Sequence, residues 1–228
     1  FINKMITADL RKGVVIVAGG SGSRMGGDTP KQFISINGVP VLMHTIQKFL
    51  QFDPSILVVL VLPENQLAYW AKLCQKGRFD IPHQIAAGGQ TRFHSVQNGL
   101  ALTGQCDLIA IHDGVRPLVS TDTIARTFDA ALQHGSAIPV LPANESLRQG
   151  TPEHSSAVDR SQYFMVQTPQ VFRREILIES YRQPYDPAFT DDASVVEKAG
   201  RPVRMVPGNR ENIKITHPED LQIAALWL

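Results

Sequence analysis

The stretch VVIVAGGSGSRMGGDTPKQF, residues 14–33, sets an apolar run directly against a glycine-rich turn that carries two cations. The continuous run Val14–Ala18 predicts a strand buried on both faces, as in a parallel sheet covered by helices. Glycines that leave such a strand let backbone N–H groups crowd around a phosphate. Arg24 and Lys31 flank this turn, two fixed positive charges beside a polyphosphate cradle. The dinucleotide fingerprint G-x-G-x-x-G fails, because a reading from Gly20 and Gly22 meets Met25 at its last glycine. The G-x-x-x-x-G-K-[ST] loop fails too, for want of a Lys-Ser or Lys-Thr pair at the required spacing. The cradle is of another kind.

Outward from this loop, short apolar runs recur at Ile56–Leu62, Leu108–Ile111, Ala137–Leu141 and Phe164–Val166. Helical periodicity lies between them. Pro40 opens one helix, with Leu42, Ile46, Phe49 and Leu50 on a face. Another runs from about Asp122 and stops at Gly135, a C-cap glycine. Thr216 and Glu219 have the spacing of a capping box before a terminal helix. Strands alternating with helices predict an α/β chain: a Rossmann-like three-layer fold with a mostly parallel central sheet. Residues 142–162 break the rhythm. PANESLRQGTPEHSSAVDRSQ is polar, holds two prolines and reads as an exposed excursion, a protruding arm or a long loop, on an otherwise single domain spanning 1–228.

The bulk numbers agree with an ordinary globule: 228 residues, 43% hydrophobic, 19% charged and a formal net charge of +1. That charge excludes a nucleic-acid or acidic-membrane binder acting by bulk attraction. Two distant cysteines, Cys74 and Cys106, exclude a metal finger or disulfide framework and fit a reducing cytoplasm. The opening FINKMITADLRKG lacks the long apolar core of a secretory signal, and Met5 is a candidate native start.

The loop resembles the G-x-G-x-R-M…P-K pattern of nucleotidyltransferases that join a nucleoside triphosphate to a sugar or polyol phosphate. The likeness continues in order through GGQTRFHSV (88–96), HDGVRP (112–117), VDR (158–160), QTPQVF (167–172), TDDAS (190–194) and NIKIT (212–216). Together these are similar to the 2-C-methyl-D-erythritol 4-phosphate cytidylyltransferase family, over nearly all of residues 14–222. The resemblance implies transfer of a cytidylyl group from CTP in isoprenoid precursor synthesis, by in-line attack of the acceptor phosphate with release of pyrophosphate. It implies Arg24, Lys31 and Lys214 as the catalytic cations around the triphosphate. It implies Ala18, Gly19, Gly20, Gly22, Gly89 and Ser95 as nucleotide contacts, and Asp113 as the ligand of magnesium or another divalent cation. Around the acceptor it implies Arg160, Thr168, Thr190 and Ser146, with Arg116 beside them.

Several positions carry a second reading. Arg92 matches a family arginine but equally reads as a structural salt bridge, and His112 reads as a structural neighbour of Asp113 rather than a base. Thr190 also reads as a helix N-cap, and Asp191 and Asp192 as hydroxyl ligands or helix-dipole partners. Gln90 and Glu211 depart from the family's pattern, which has an acidic residue in some members at the first and aspartate at the second. The resemblance further implies a homodimer in which the arm and Arg160 serve the other subunit's site. Two rivals remain at this point: a cytidylyltransferase for ribitol 5-phosphate or a related polyol phosphate, and an inactive nucleotide-binding domain.

Overall fold

Strand β1 (Lys12–Val17) lies at the centre of an eight-stranded sheet, with parallel neighbours on both sides. The structure is a computed structural model and describes residues 10–19 and 29–228. After β1 come a small hairpin, β2 (Ser35–Ile36) and β3 (Val39–Pro40), then α1 (Val41–Phe52), β4 (Leu57–Leu62), α2 (Leu67–Gly77) and β5 (Gln84–Ala87). Next are α3 (Arg92–Leu100), β6 (Leu108–Asp113), α4 (Thr121–His134) and β7 (Ser136–Pro142). A second hairpin, β8 (Arg148–Gly150) and β9 (Ser155–Ala157), leads to β10 (Phe164–Val166) and β11 (Gln170–Arg173). The chain continues through α5 (Arg174–Ser180), α6 (Asp192–Lys198), β12 (Arg204–Pro207) and α7 (Pro218–Ala225).

The main sheet runs β10-β7-β11-β6-β1-β4-β5, with β12 also paired to β7. Pairs β1–β4, β1–β6, β4–β5 and β7–β12 are parallel; β11 and β10 pair antiparallel. This is the mostly parallel α/β sheet that the alternating runs predict.

The period of two along a strand divides the core into two layers. Val14 and Ile16 face one way and pack with Leu42, Ile46 and Phe49 of α1 and Ile124 and Phe128 of α4. Val15 faces the other way, among Phe93 and Val96 of α3, Leu177 of α5 and Val196 of α6. Val14, Val15 and Ile16 are fully buried, each contributing about 1.5–3 kcal/mol by leaving water.

The structure corrects several boundaries. Strand β1 ends at Val17, so Ala18 stands just beyond it, and β6 runs on to include Asp113. Pro40 precedes α1 as its N-cap in extended backbone instead of sitting in the first turn. The capping box of α7 uses His217 and Asp220, one residue later than the predicted pair. Gly135 does cap α4, at φ 91°, where a side chain would be strained. Strand β10 is correctly bounded, yet all three of its residues are exposed and it pairs antiparallel, contrary to a strand covered on both faces. The polar excursion holds the β8–β9 hairpin, exposed at every strand residue.

Candidate active site

A cavity of about 350 Å³ opens past the carboxyl ends of β1, β5 and β6. Ligands in open α/β sheets bind at such strand ends. The parallel register sets Val17 opposite Asp113, so the chain leaves both strands at one level, and Gly114 N–H donates to Val17 O at 2.9 Å. Ala18, Gly19 and Lys31 form one wall, Gly89 and Ser95 a second, and Asp113 and Lys214 a third. The cavity therefore gathers six of the predicted site residues beside Asp113. Gly20, Gly22 and Arg24 lie outside the described residues.

Asp113 is buried and partnered. Its Oδ2 receives Arg116 Nε at 2.9 Å and Lys214 Nζ at 3.2 Å. Burial alone would raise its pKa. The charges of Lys214, Arg92 and Arg116 outweigh that and hold the carboxyl well below the usual carboxylate range. Arg116 is fixed further by Nη1 on Asn212 O at 2.8 Å, which makes it a brace for Asp113 set back from the cavity wall. Behind Asp113, Thr168 is buried, its hydroxyl accepting from Asp113 N–H at 3.1 Å and bonded to His112 Nδ1 at 3.0 Å. His112 Nε2 donates to Arg116 O at 3.1 Å, and burial pushes its pKa down to about 4. His112 is thus a neutral structural residue, as the sequence suggests.

The turn between β5 and α3 is held by hydrogen bonds within the chain. Gly88 N–H donates to Leu62 O at 2.7 Å. Ser95 Oγ accepts from Gly89 N–H at 3.0 Å and donates to Thr91 O at 2.9 Å, so the serine shapes the turn. A Cβ on Gly89 would stand 2.4 Å from His94 Cβ, which reserves this position for glycine. Lys31 sits in a 3-10 turn, with Nζ on Ile215 O at 3.0 Å.

Sequence reading missed Gln32. It is buried, with Nε2 donating to Ala18 O at 2.9 Å and to Gln66 Oε1 at 2.7 Å. A single polar residue between Lys31 and Phe33 gives no pattern that separates it from a surface glutamine. Arg92 makes the salt bridge of its second reading, meeting Asp192 bidentately at 2.9 and 2.6 Å, and it also lines the cavity. Asp192 is wholly buried in the first turn of α6 and Asp191 is that helix's N-cap, so both acids stand at its positive end, with Thr190 exposed before them. Arg160 and Ser146 are exposed on the arm, with Arg160 Nη1 donating to Asn144 O. Glu211 receives Asn209 Nδ2 at 3.2 Å and is not part of the cavity wall.

An open, mostly parallel sheet that gathers Lys31, Lys214 and Asp113 with glycine main chain past its strand ends defines, with the motifs in order around it, a nucleotidyltransferase. The family model for 2-C-methyl-D-erythritol 4-phosphate cytidylyltransferase (IspD) matches residues 13–228. The chain belongs to that family. It is 54% identical over 219 residues to the enzyme so named from Phocaeicola vulgatus, covering 96% of this chain and all of the relative. The Bacteroides thetaiotaomicron enzyme is 50% identical over 219 residues, with the same coverage. Among solved structures, the 2-C-methyl-D-erythritol 4-phosphate cytidylyltransferase of Thermus thermophilus is 30% identical with a TM-score of 0.76, over 95% of this chain and 98% of that one. The 4-diphosphocytidyl-2C-methyl-D-erythritol synthase of Anaerococcus prevotii reaches 0.80 at 25% identity, over 96% and 98%.

Proposed function

We propose that this chain transfers the cytidylyl group of CTP to 2-C-methyl-D-erythritol 4-phosphate, forming 4-diphosphocytidyl-2-C-methyl-D-erythritol and pyrophosphate. Family membership supports the reaction. The observation that carries it onto this chain's own residues is the meeting of Lys31, Lys214 and Asp113 with the Ala18–Gly19 and Gly89 main chain at one cavity. An oxygen of the acceptor phosphate attacks the α-phosphorus of CTP, a new P–O bond forms, and the bond to the β-phosphate bridge breaks. Pyrophosphate leaves with that electron pair. The acceptor phosphate is already anionic, so no base is needed, and the neutral His112 is consistent with that. Arg24, Lys31 and Lys214 offset the charge that builds around the α-phosphorus, acting best when already aimed. Gly89, Ser95 and the chain after Ala18 hold the nucleotide.

Asp113 suits a magnesium ion of the kind held by one or two carboxylates together with substrate phosphates. Both of its ion pairs use Oδ2, and among the described residues no cluster of three ligand side chains forms a cage. When bound, the ion would neutralise triphosphate charge.

For the acceptor we assign Arg160, Thr168, Thr190 and Ser146, with Arg116 beside them; Thr168 and Arg116 also brace Asp113 from behind. Arg160 and Ser146 reach a site by way of the arm of a second copy, and the protein works as a homodimer. Four consecutive exposed apolar residues, Tyr163, Phe164, Met165 and Val166, at the base of the arm support that interface. A reducing cytoplasmic setting accords with two unpaired thiols, Cys74 and Cys106. Among the described residues no helix is long and apolar enough to cross a membrane.

The test is pyrophosphate release with CTP and magnesium, comparing methylerythritol 4-phosphate with ribitol 5-phosphate. Release with the first alone is expected. Preference for ribitol phosphate would overturn the acceptor and its residues, and CTP binding without release from either would overturn the activity.

A further inference from the structure

The turn at residues 88–91 follows β5, which is the edge strand of the sheet, so the sheet supports it on one side only. Directly after the turn, the first residue of α3 is held by α6. Asp192 is wholly buried, grips both terminal nitrogens of Arg92 and receives the Tyr181 hydroxyl on Oδ1 at 2.6 Å. Arg92 is the first residue of α3, directly after the N-cap Thr91, and is among the residues that line the cavity. Asp192 is itself tied to the sheet: Gln170 of β11 accepts from Ala193 N–H at 2.8 Å and donates to Asp191 Oδ2 at 2.8 Å. A continuous line of contacts therefore runs from β11 through α6 to the first turn of α3.

We propose that Asp192, with Tyr181 sharing its carboxylate, is a positioning residue for the CTP-binding turn, acting through Arg92. This rests on the nucleotide reading of the cavity given above. Buried carboxylates need partners, and a bidentate guanidinium fixes both distance and plane. The pair thus sets where Gly89 N–H and Ser95 stand relative to Asp113 across the cavity. Nothing in the reaction requires a buried acid here. Removing its hold should shift nucleotide binding while leaving the α-phosphorus chemistry near its normal rate once CTP saturates.

The experiment is calorimetric CTP binding together with kcat and KM for the full-length wild type, Tyr181→Phe and Asp192→Asn, with thermal unfolding as the folding control. Tyr181→Phe keeps the ring stacked on Phe93, 4.7 Å between centroids, and removes only the hydroxyl. About a tenfold weaker Kd and higher KM for CTP is expected in Asp192→Asn, and about threefold in Tyr181→Phe, with kcat within roughly threefold of wild type. In the double variant the tyrosine change should add nothing, because the hydroxyl acts through the carboxylate. A Kd for CTP within twofold of wild type in the folded variants overturns the proposal. Should Asp192→Asn fail to fold, Tyr181→Phe decides alone. A wild type that binds no CTP overturns the nucleotide reading and this proposal together; one that binds normally while the variants match it overturns the proposal only.

Discussion

The cavity wall and the arm are built on opposite principles. At the cavity, Asp113 is held by Arg116, Lys214 and the Thr168 hydroxyl, and the 88–91 turn is pinned by Ser95 and by Gly88 N–H. On the arm, β8 and β9 bond to each other and expose every residue. One region is fixed by its own chain before any ligand arrives. The other, exposed at every residue of its two strands, buries little apolar surface within one chain. Preorganised cations are worth most where charge develops. The proposed triphosphate contacts accordingly sit at strand ends, while Arg160 and Ser146 of the proposed acceptor contacts sit on the excursion.

The largest test of this contrast is Lys31→Ala. Loss of one aimed donor is expected to cost about 3–4 kcal/mol of barrier, a hundredfold or more in kcat, while the melting temperature stays within a few degrees. Near-normal turnover in a steady-state assay would remove the lysine from the chemistry. The arm is tested next by mixing subunits that carry Lys31→Ala with subunits that carry Arg160→Ala. Random pairing into dimers leaves about a quarter of all sites with both residues, so activity near that fraction should return. No recovery in verified mixed dimers breaks the shared-site reading and leaves the arm without its role.

Smaller effects sharpen the cavity side. Gly89→Ala forces its Cβ against His94, 2.4 Å from that residue's Cβ, at a cost of about 1–3 kcal/mol in chemical unfolding and a higher KM for CTP. Smallest is the alkaline limb. Burial and the Asp192 carboxylate push the Tyr181 phenol well above its ordinary value. Its protonated form is therefore favoured by folding: that stability is complete below about pH 10 and is lost as pH rises toward the folded value. Each pH unit across that window costs about 1.4 kcal/mol, and Tyr181→Phe should flatten the decline measured by urea titration.

Apolar runs made the sheet legible because desolvation leaves its mark on composition. The run Val14–Ala18 and the run beginning at Leu108 led straight to the two central strands and thus to the cavity. The same signal misled at Phe164–Val166, since a run of apolar residues says that water is to be excluded but not by which chain. Strand β5, four residues long with only Ala86 buried, is too short to announce itself. Asp192 was hidden for a different reason. An acid at the start of a helix fits the helix dipole so well that its pairing with Arg92, a hundred residues away in sequence, leaves no local trace.

Register carries one last consequence, which concerns chain length. Val17 of β1 stands opposite Asp113 of β6 and Val61 of β4. One residue inserted or deleted in any of these strands would slide its end by about 3.3 Å and turn every following side chain to the other face. The phosphate loop and the carboxylate would then leave the sheet at different heights. Descendants of this chain are free to grow or shrink only where no neighbour counts residues, and the 142–162 excursion is such a place. If the proposed acceptor role of the arm holds, divergence in acceptor choice can proceed by editing its length while the strands around Asp113 stay in step.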